Sequence, residues 1–122
     1  VHFLGHVSHA TLTGILQRST VHVYLTYPFV LSWSLLEAMS IGCCVVASNT
    51  APLLEAIQDG ETGRLVDFFS PGALSACILE LLEDPTQRSR LSESARRFAV
   101  EHYDLQTRCL PRQLDWVQSL RV

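Results

Sequence analysis

The sequence predicts an α/β fold: a parallel sheet with flanking helices, followed by a helical C-terminal third. Three observations carry that prediction. Strand-like apolar runs alternate with helix-like ones over the first 66 residues. One of those runs, Cys44-Val45-Val46-Ala47, is apolar at every position, as a strand covered on both faces requires. Beyond it, Ser70-Pro71 and Asp84-Pro85 each place a capping side chain before a proline, the usual signal of a helix start.

Taken in order, Val1–Leu4 reads as a strand and Ser8–Arg18 as a helix with Leu12, Ile15 and Leu16 on one face. Val21–Leu25 reads as the second strand. A loop at Pro28 then leads into a helix over Ser34–Ile41, with Gly42 as its C-terminal cap. Cys44–Ala47 is the third strand, Pro52–Gln58 a short helix closed by Asp59-Gly60, and Arg64–Val66 the fourth strand. The helix from Pro71 buries Leu74, Cys77, Ile78, Leu81 and Leu82 at helical spacing. The helix from Pro85 buries Leu91, Ala95, Phe98, Ala99 and His102 and turns Arg90, Glu93, Arg97 and Glu101 outward. Asp104 caps a last helix that Pro111 should kink, since proline removes a donor and crowds the carbonyl of Thr107.

Composition narrows the function classes. With 48% hydrophobic and 17% charged residues in 122, the chain is an ordered single domain. A net charge of −3 and a pI near 5.9 argue against nucleic acid as a partner. All nine basic residues are Arg, and seven of them lie from Glu80 onward among seven of the twelve acids. No stretch reads as a membrane span or a signal peptide. Cys43, Cys44, Cys77 and Cys109 show no disulfide or redox spacing, so they read as reduced and buried, in a cytoplasmic setting that leaves attachment to a membrane surface open. His2, His6 and His9 straddle a strand end and a loop and do not read as a metal site. Arg18 and Arg64 read as surface residues, Tyr24 and Tyr27 as packing residues. Four strands are fewer than the five or six usual in a doubly wound sheet, and the sequence opens directly on one. The expectation is a segment of a longer protein, residues 1–122 forming one truncated domain.

In an open parallel sheet ligands bind beyond the carboxyl ends of the strands, at helix N-termini. Three loops qualify: Gly5–Ser8, Thr26–Ser34 and Ser48–Ala51. The middle one runs into a helix whose first amides, at Ser32, Trp33 and Ser34, suit a diphosphate. One turn in, Glu37 suits vicinal sugar hydroxyls. Spacing alone leaves two readings of that glutamate, because Ser34-x-x-Glu37 also fits a capping box. Trp33 likewise suits either packing or base stacking.

Leu35-Leu36-Glu37-Ala38-Met39-Ser40-Ile41-Gly42-Cys43-Cys44-Val45-Val46-Ala47-Ser48 resembles the signature of GT-B retaining glycosyltransferases of family 4 (group 1). Val1–Val7 resembles that family's strand-Gly-x-Val segment, and Glu55–Val66 its Glu-hydrophobic-x-x-Asp-Gly-x-x-Gly segment, so pattern and order agree over residues 1 to about 100. The resemblance implies a Rossmann-like, C-terminal donor domain that binds a nucleotide-diphosphate sugar. It implies that Glu37 holds the ribose and that the amides of Ser32, Trp33 and Ser34 approach the diphosphate. The Gly5–Ser8 loop, with His6 and Val7, would lie against the base, and Phe29 and Leu31 would border the sugar. Phe29 stands where the family carries a second glutamate, Val30 and Ser32 stand where it carries glycines, and Cys44 where it carries proline. The family's diphosphate-neutralising basic pair and its N-terminal acceptor domain have no counterpart in these residues, which implies an inactive fragment. No cofactor and no metal are implied. Two alternatives stay open: a sugar-nucleotide epimerase of the same fold, and a degenerate interaction module in which Phe29 closes the sugar pocket. Trp116, Val117 and Leu120 on the last helix, left uncovered, would favour a homodimer.

Overall fold

The computed structural model describes residues 1–27 and 30–120. In chain order come α1 (His9–Arg18), β1 (His22–Tyr24), α2 (Trp33–Ile41), β2 (Val45–Ser48), a 3₁₀ turn (Ala51–Glu55), β3 (Arg64–Val66), α3 (Pro71–Glu83), α4 (Pro85–Tyr103), a π-helical turn (Leu105–Cys109) and α5 (Leu110–Ser119). The three strands form one parallel sheet in the order β1-β2-β3, with Val23 opposite Val46 and Ala47 opposite Leu65.

β2 organises the core because it is central and buried at all four positions. Side chains alternate across a strand, and the core divides accordingly. Val45 and Ala47 pack with Leu16 of α1, with Leu35, Ala38 and Met39 of α2, and with Ala95 and Ala99 of α4. Cys44 and Val46 face the other way, against Val66, Cys77, Leu81 and Leu91. α4 therefore serves both layers: its first half covers the α3 side and its second half the α2 side. Each fully buried leucine, Leu35 or Leu81 for instance, contributes about 2 kcal/mol.

Local chemistry sets the element ends. Ser8 caps α1 by accepting from the Thr11 amide at 3.2 Å, Ser70 caps α3 through Ala73, and Asp84 caps α4 through the Gln87 amide at 2.9 Å. Gly42 closes α2 at φ +91°, and the following Cys43 amide bonds back to Ala38 O at 3.0 Å, the pattern of a left-handed glycine cap. Arg88 holds the last carbonyls of α3, Leu81 O and Leu82 O, with Nη1 at 2.5 and 2.8 Å.

Four expectations are corrected. Val1–Leu4 is not a strand: it is exposed, and no strand lies beside it to complete a ladder, so the sheet has three strands among the described residues, not four. Pro52–Gln58 shortens to the 3₁₀ turn over Ala51–Glu55: the amides of Leu53 and Ala56 bond three residues back, to Thr50 O and Leu53 O, and Thr62 Oγ1 then takes the Gln58 amide at 2.9 Å. The irregularity expected at Pro111 falls just before it, in the π turn capped by Asp104, which runs straight into α5. His102 is exposed and lies tilted against Phe98 with ring centroids 4.5 Å apart, outside the buried face of α4.

Candidate functional site

All three strands point their carboxyl ends to one side, and the loops that follow β1 and β2 meet there. The junction is a single side chain. Ser48, at the end of β2 and wholly buried, donates from Oγ to Thr26 O at 2.8 Å and accepts from the Thr26 amide at 3.0 Å. Both main-chain groups of Thr26 lie past the end of β1, so this serine replaces the ladder the strand no longer has. The sequence placed Ser48 at the head of a candidate loop; its use as a clamp on the neighbouring loop was not legible, since nothing in Val-Val-Ala-Ser names a partner 22 residues earlier.

Past Thr26 the chain turns aromatic. Tyr27 stacks on Phe68 and meets Phe69 edge-on, with centroids 5.5 and 5.0 Å away, so the β1 loop leans across the sheet toward the end of β3. The two residues after Tyr27, Pro28 and Phe29, lie outside the described residues, and with them the predicted sugar-side position. Leu31 is half-buried against the core and, with Trp33, Leu36, Tyr103, Leu105 and Cys109, lines an apolar groove of about 320 Å³ between α2 and the C-terminal helices. Trp33 is otherwise exposed, so neither packing nor stacking engages its outer face.

The start of α2 decides between the two readings of Glu37. The cap is Ser32, whose Oγ accepts from the Ser34 amide at 3.2 Å and lies 2.8 Å from Ser34 Oγ. Ser34 is therefore the second helical residue, and the Ser34-x-x-Glu37 capping box does not form. Of the three amides expected at the helix start, Ser34's is taken by this cap. Glu37 is released from any capping duty and turns, half-buried, toward α1, where Oε1 meets His9 Nε2. His9 is the first residue of α1, directly after the Gly5–Ser8 loop that carries His6 and Val7. His6 is exposed and Val7 half-buried. One side-chain contact thus joins the helices that follow two of the three candidate loops. Ser32 and Ser34 stand one turn above it, and Leu31 and Trp33 face the apolar groove instead.

The segment after β2 is structural. Thr62 is buried and bridges Ala56 O and the Gln58 amide, while Asp59 Oδ1 accepts from Leu65 N at 2.9 Å. A Cβ on Gly63 would lie 3.1 Å from Val45 O and 3.1 Å from Ile57 Cγ2, so the Asp-Gly-x-x-Gly turn must approach the central strand without a side chain. Arg64, expected at the surface, is half-buried and bonds Glu80 at 2.7 Å, and that contact raises its pKa further and lowers that of Glu80. Arg64 therefore braces β3 on α3. Burial lowers the pKa of His22 and raises those of Cys43, Cys44 and Cys77, with Cys44 pushed up to about 11. These thiols are core residues held protonated.

Comparison with known proteins settles what this arrangement belongs to. The model of the family "Glycosyl transferases group 1" matches residues 1–98. The chain belongs to the group 1 glycosyltransferases. The glycogen synthase of Mycobacterium tuberculosis is 30% identical over 105 residues, which are 86% of this chain and 25% of that protein. O-antigen chain mannosyltransferase B of Escherichia coli is 32% identical over 111 residues, 88% of this chain and 29% of that one. The sucrose-phosphate synthase structure from Thermosynechococcus elongatus superposes with a TM-score of 0.82 at 26% identity, over 96% of this chain and 29% of that one. Anabaena HepE, solved in complex with UDP, superposes at 0.78 with 22% identity, over 86% of this chain and 29% of that one, a likeness of fold. The fold is that of a GT-B glycosyltransferase domain. The chain spans about a quarter of the length of the glycogen synthase it matches. Among the described residues no helix is long and apolar enough to cross a membrane.

Proposed function

We propose that these residues form the donor-binding part of a retaining glycosyltransferase, with Glu37 accepting hydrogen bonds from the ribose hydroxyls of a nucleotide-diphosphate sugar. One observation carries the reading. The Glu37 carboxylate serves no cap and no buried ion pair of its own helix, and it opens toward the α1 loop at the carboxyl end of the sheet. A half-buried carboxylate in that position binds neutral hydroxyls well, because a charged acceptor strengthens each bond and little water competes.

The remaining roles follow from placement. The Ser32–Ser34 turn, at the positive end of α2, faces the diphosphate. His6 and Val7 border the base, and the family resemblance, not placement, assigns Phe29 to the sugar side. Bond cleavage with retention leaves negative charge on the departing diphosphate, and stabilising that charge is the principal catalytic task. The chain contains no Lys, Arg18 lies on the exposed face of α1, and Arg64 is committed to Glu80. The family resemblance assigns the cations for that task, and the acceptor site, to sequence outside these 122 residues, and on that reading the chain alone binds donor without turning it over.

Thermal shift with uridine, guanosine and adenosine diphosphates and their sugar conjugates tests the reading. A ligand at a hundred times its Kd adds about 2.7 kcal/mol, roughly 10 °C in a domain of this size. The expected result is a shift with one base that Glu37→Ala abolishes. A shift that survives in Glu37→Ala would remove the carboxylate from the site. No shift with any nucleotide, in the chain or in the longer protein, would favour a degenerate module.

A further inference from the structure

We propose that His9 is a positioning residue for the donor site: its imidazole holds Oε1 of Glu37 and fixes the carboxylate that receives the ribose. The inference rests on the reading of Glu37 given above and goes beyond it, to a residue on another helix that sets how well that carboxylate works.

Three observations carry it. First, among the described residues His9 is the partner that the Glu37 carboxylate meets; Ser40 bonds the main-chain carbonyl of Glu37, at 2.8 Å, and leaves the carboxylate alone. Second, His9 is itself anchored. It is the first residue of α1, behind the Ser8 cap, which also bonds Thr11 Oγ1 at 2.8 Å, and its own carbonyl accepts from Thr13 Oγ1 at 3.0 Å. Third, the pair spans 28 residues and ties the loop assigned to the base to the helix assigned to the ribose.

The chemistry follows from counting lone pairs. A carboxylate offers two oxygens and about four acceptor positions. One is used by Nε2–H of the imidazole, so Oε2 and the rest of Oε1 remain for two vicinal hydroxyls. A free glutamate side chain samples several rotamers, and binding must immobilise it; a contact already made from α1 lowers that entropic cost before the ligand arrives. The pair is solvent-accessible, His9 being 77% exposed, so its coupling falls in the range of surface ion pairs. The upper half of that range corresponds to a three- to fivefold change in affinity.

The test uses the nucleoside diphosphate that binds tightest among the uridine, guanosine and adenosine forms, together with its 2′,3′-dideoxy counterpart, titrated calorimetrically into folded variants. His9→Ala is expected to weaken the ribonucleotide three- to fivefold and leave the dideoxy form unchanged. His9→Gln, whose amide donates at comparable reach, restores most of the loss. In Glu37→Gln the ribonucleotide weakens at least tenfold, and adding His9→Ala changes nothing more. If His9→Ala binds the ribonucleotide as tightly as the parent while Glu37→Gln does not, the positioning role falls and the ribose reading stands. Equal weakening of both nucleotides by His9→Ala would make the residue structural and overturn the proposal. If Glu37→Gln binds normally, or no diphosphate binds, the ribose reading falls and takes the proposal with it.

Discussion

Ser48→Ala removes one oxygen and leaves the volume of the core unchanged, so its consequences are those of two hydrogen bonds. Both run to the main chain of Thr26, the O–H donating at 2.8 Å and the amide arriving at 3.0 Å. Thr26 is half-buried, so water reaches part of the gap and the full cost of two orphaned groups is not incurred. A loss of about 2 kcal/mol is expected, between one lost hydrogen bond and two buried unsatisfied groups. In a domain of this size that is a fall of roughly 8 °C in Tm. Amide exchange localises the effect: the Thr26 N–H, protected in the parent, exchanges with the opening of the loop in the variant, while Val46 and Ala47 in the middle of β2 keep their protection. Thr26→Ala is the control, since neither bond uses the threonine side chain, and it should leave the Thr26 amide protected. Nucleotide affinity should drop in Ser48→Ala as well, because the loop it clamps leads to Ser32. A Thr26 amide that stays protected in Ser48→Ala would refute the clamp, whatever happens to Tm.

Gly63→Ala should cost about 1–3 kcal/mol, because the new Cβ meets the Val45 carbonyl at 3.1 Å and a central strand cannot yield. Gly72→Ala, in the first turn of α3 with open space around it, should stabilise by up to about 1 kcal/mol, so Tm values moving in opposite directions check both. Burial raises the pKa of Cys44 to about 11 from an ordinary 9.0. The folded state therefore keeps a proton that the unfolded state releases, and stability present below pH 9 is lost as the pH rises toward 11. The loss amounts to roughly 2–3 kcal/mol, and urea titrations at pH 8 and 10.5 should show it shrinking in Cys44→Ala.

What could be read in the sequence was whatever a short stretch decides for itself. Ser70-Pro71 and Asp84-Pro85 start helices where they stand because cap and proline act within one turn. Arg64–Val66 and Gly42 were legible for the same reason. Val1–Leu4 was not, since its apolar residues specify a strand only when a neighbour supplies the ladder. Pro111 pointed to the right irregularity at the wrong residue, because Asp104 bonds both the amide and the hydroxyl of Thr107 and opens the turn before the proline is reached. The site divides along the same line. Glu37 was visible as a carboxylate one turn into a helix, whereas its contact with His9 and the Ser48 clamp depend on how α1 and β2 sit against it.

The cap of α2 shows how a local choice decides a functional one. Ser32 and Ser34 both precede the apolar run, and each is a competent cap. A capping box needs the acid at the third helical residue, from which its side chain reaches back to the cap's own amide. With Ser34 as cap, Glu37 is that residue. With Ser32 as cap, Leu35 takes the third position and Glu37 moves to the fifth, too far along the helix to return. Phase along the helix thus frees the carboxylate for α1. The two serines can be told apart by substitution: Ser32→Ala removes the bond to the Ser34 amide and should cost about 1 kcal/mol, near 4 °C in Tm. Ser34→Ala loses an exposed hydroxyl pair and should change Tm by a degree or less. The reverse order would restore Ser34 as the cap and Glu37 as its partner, and would leave the donor site without its carboxylate.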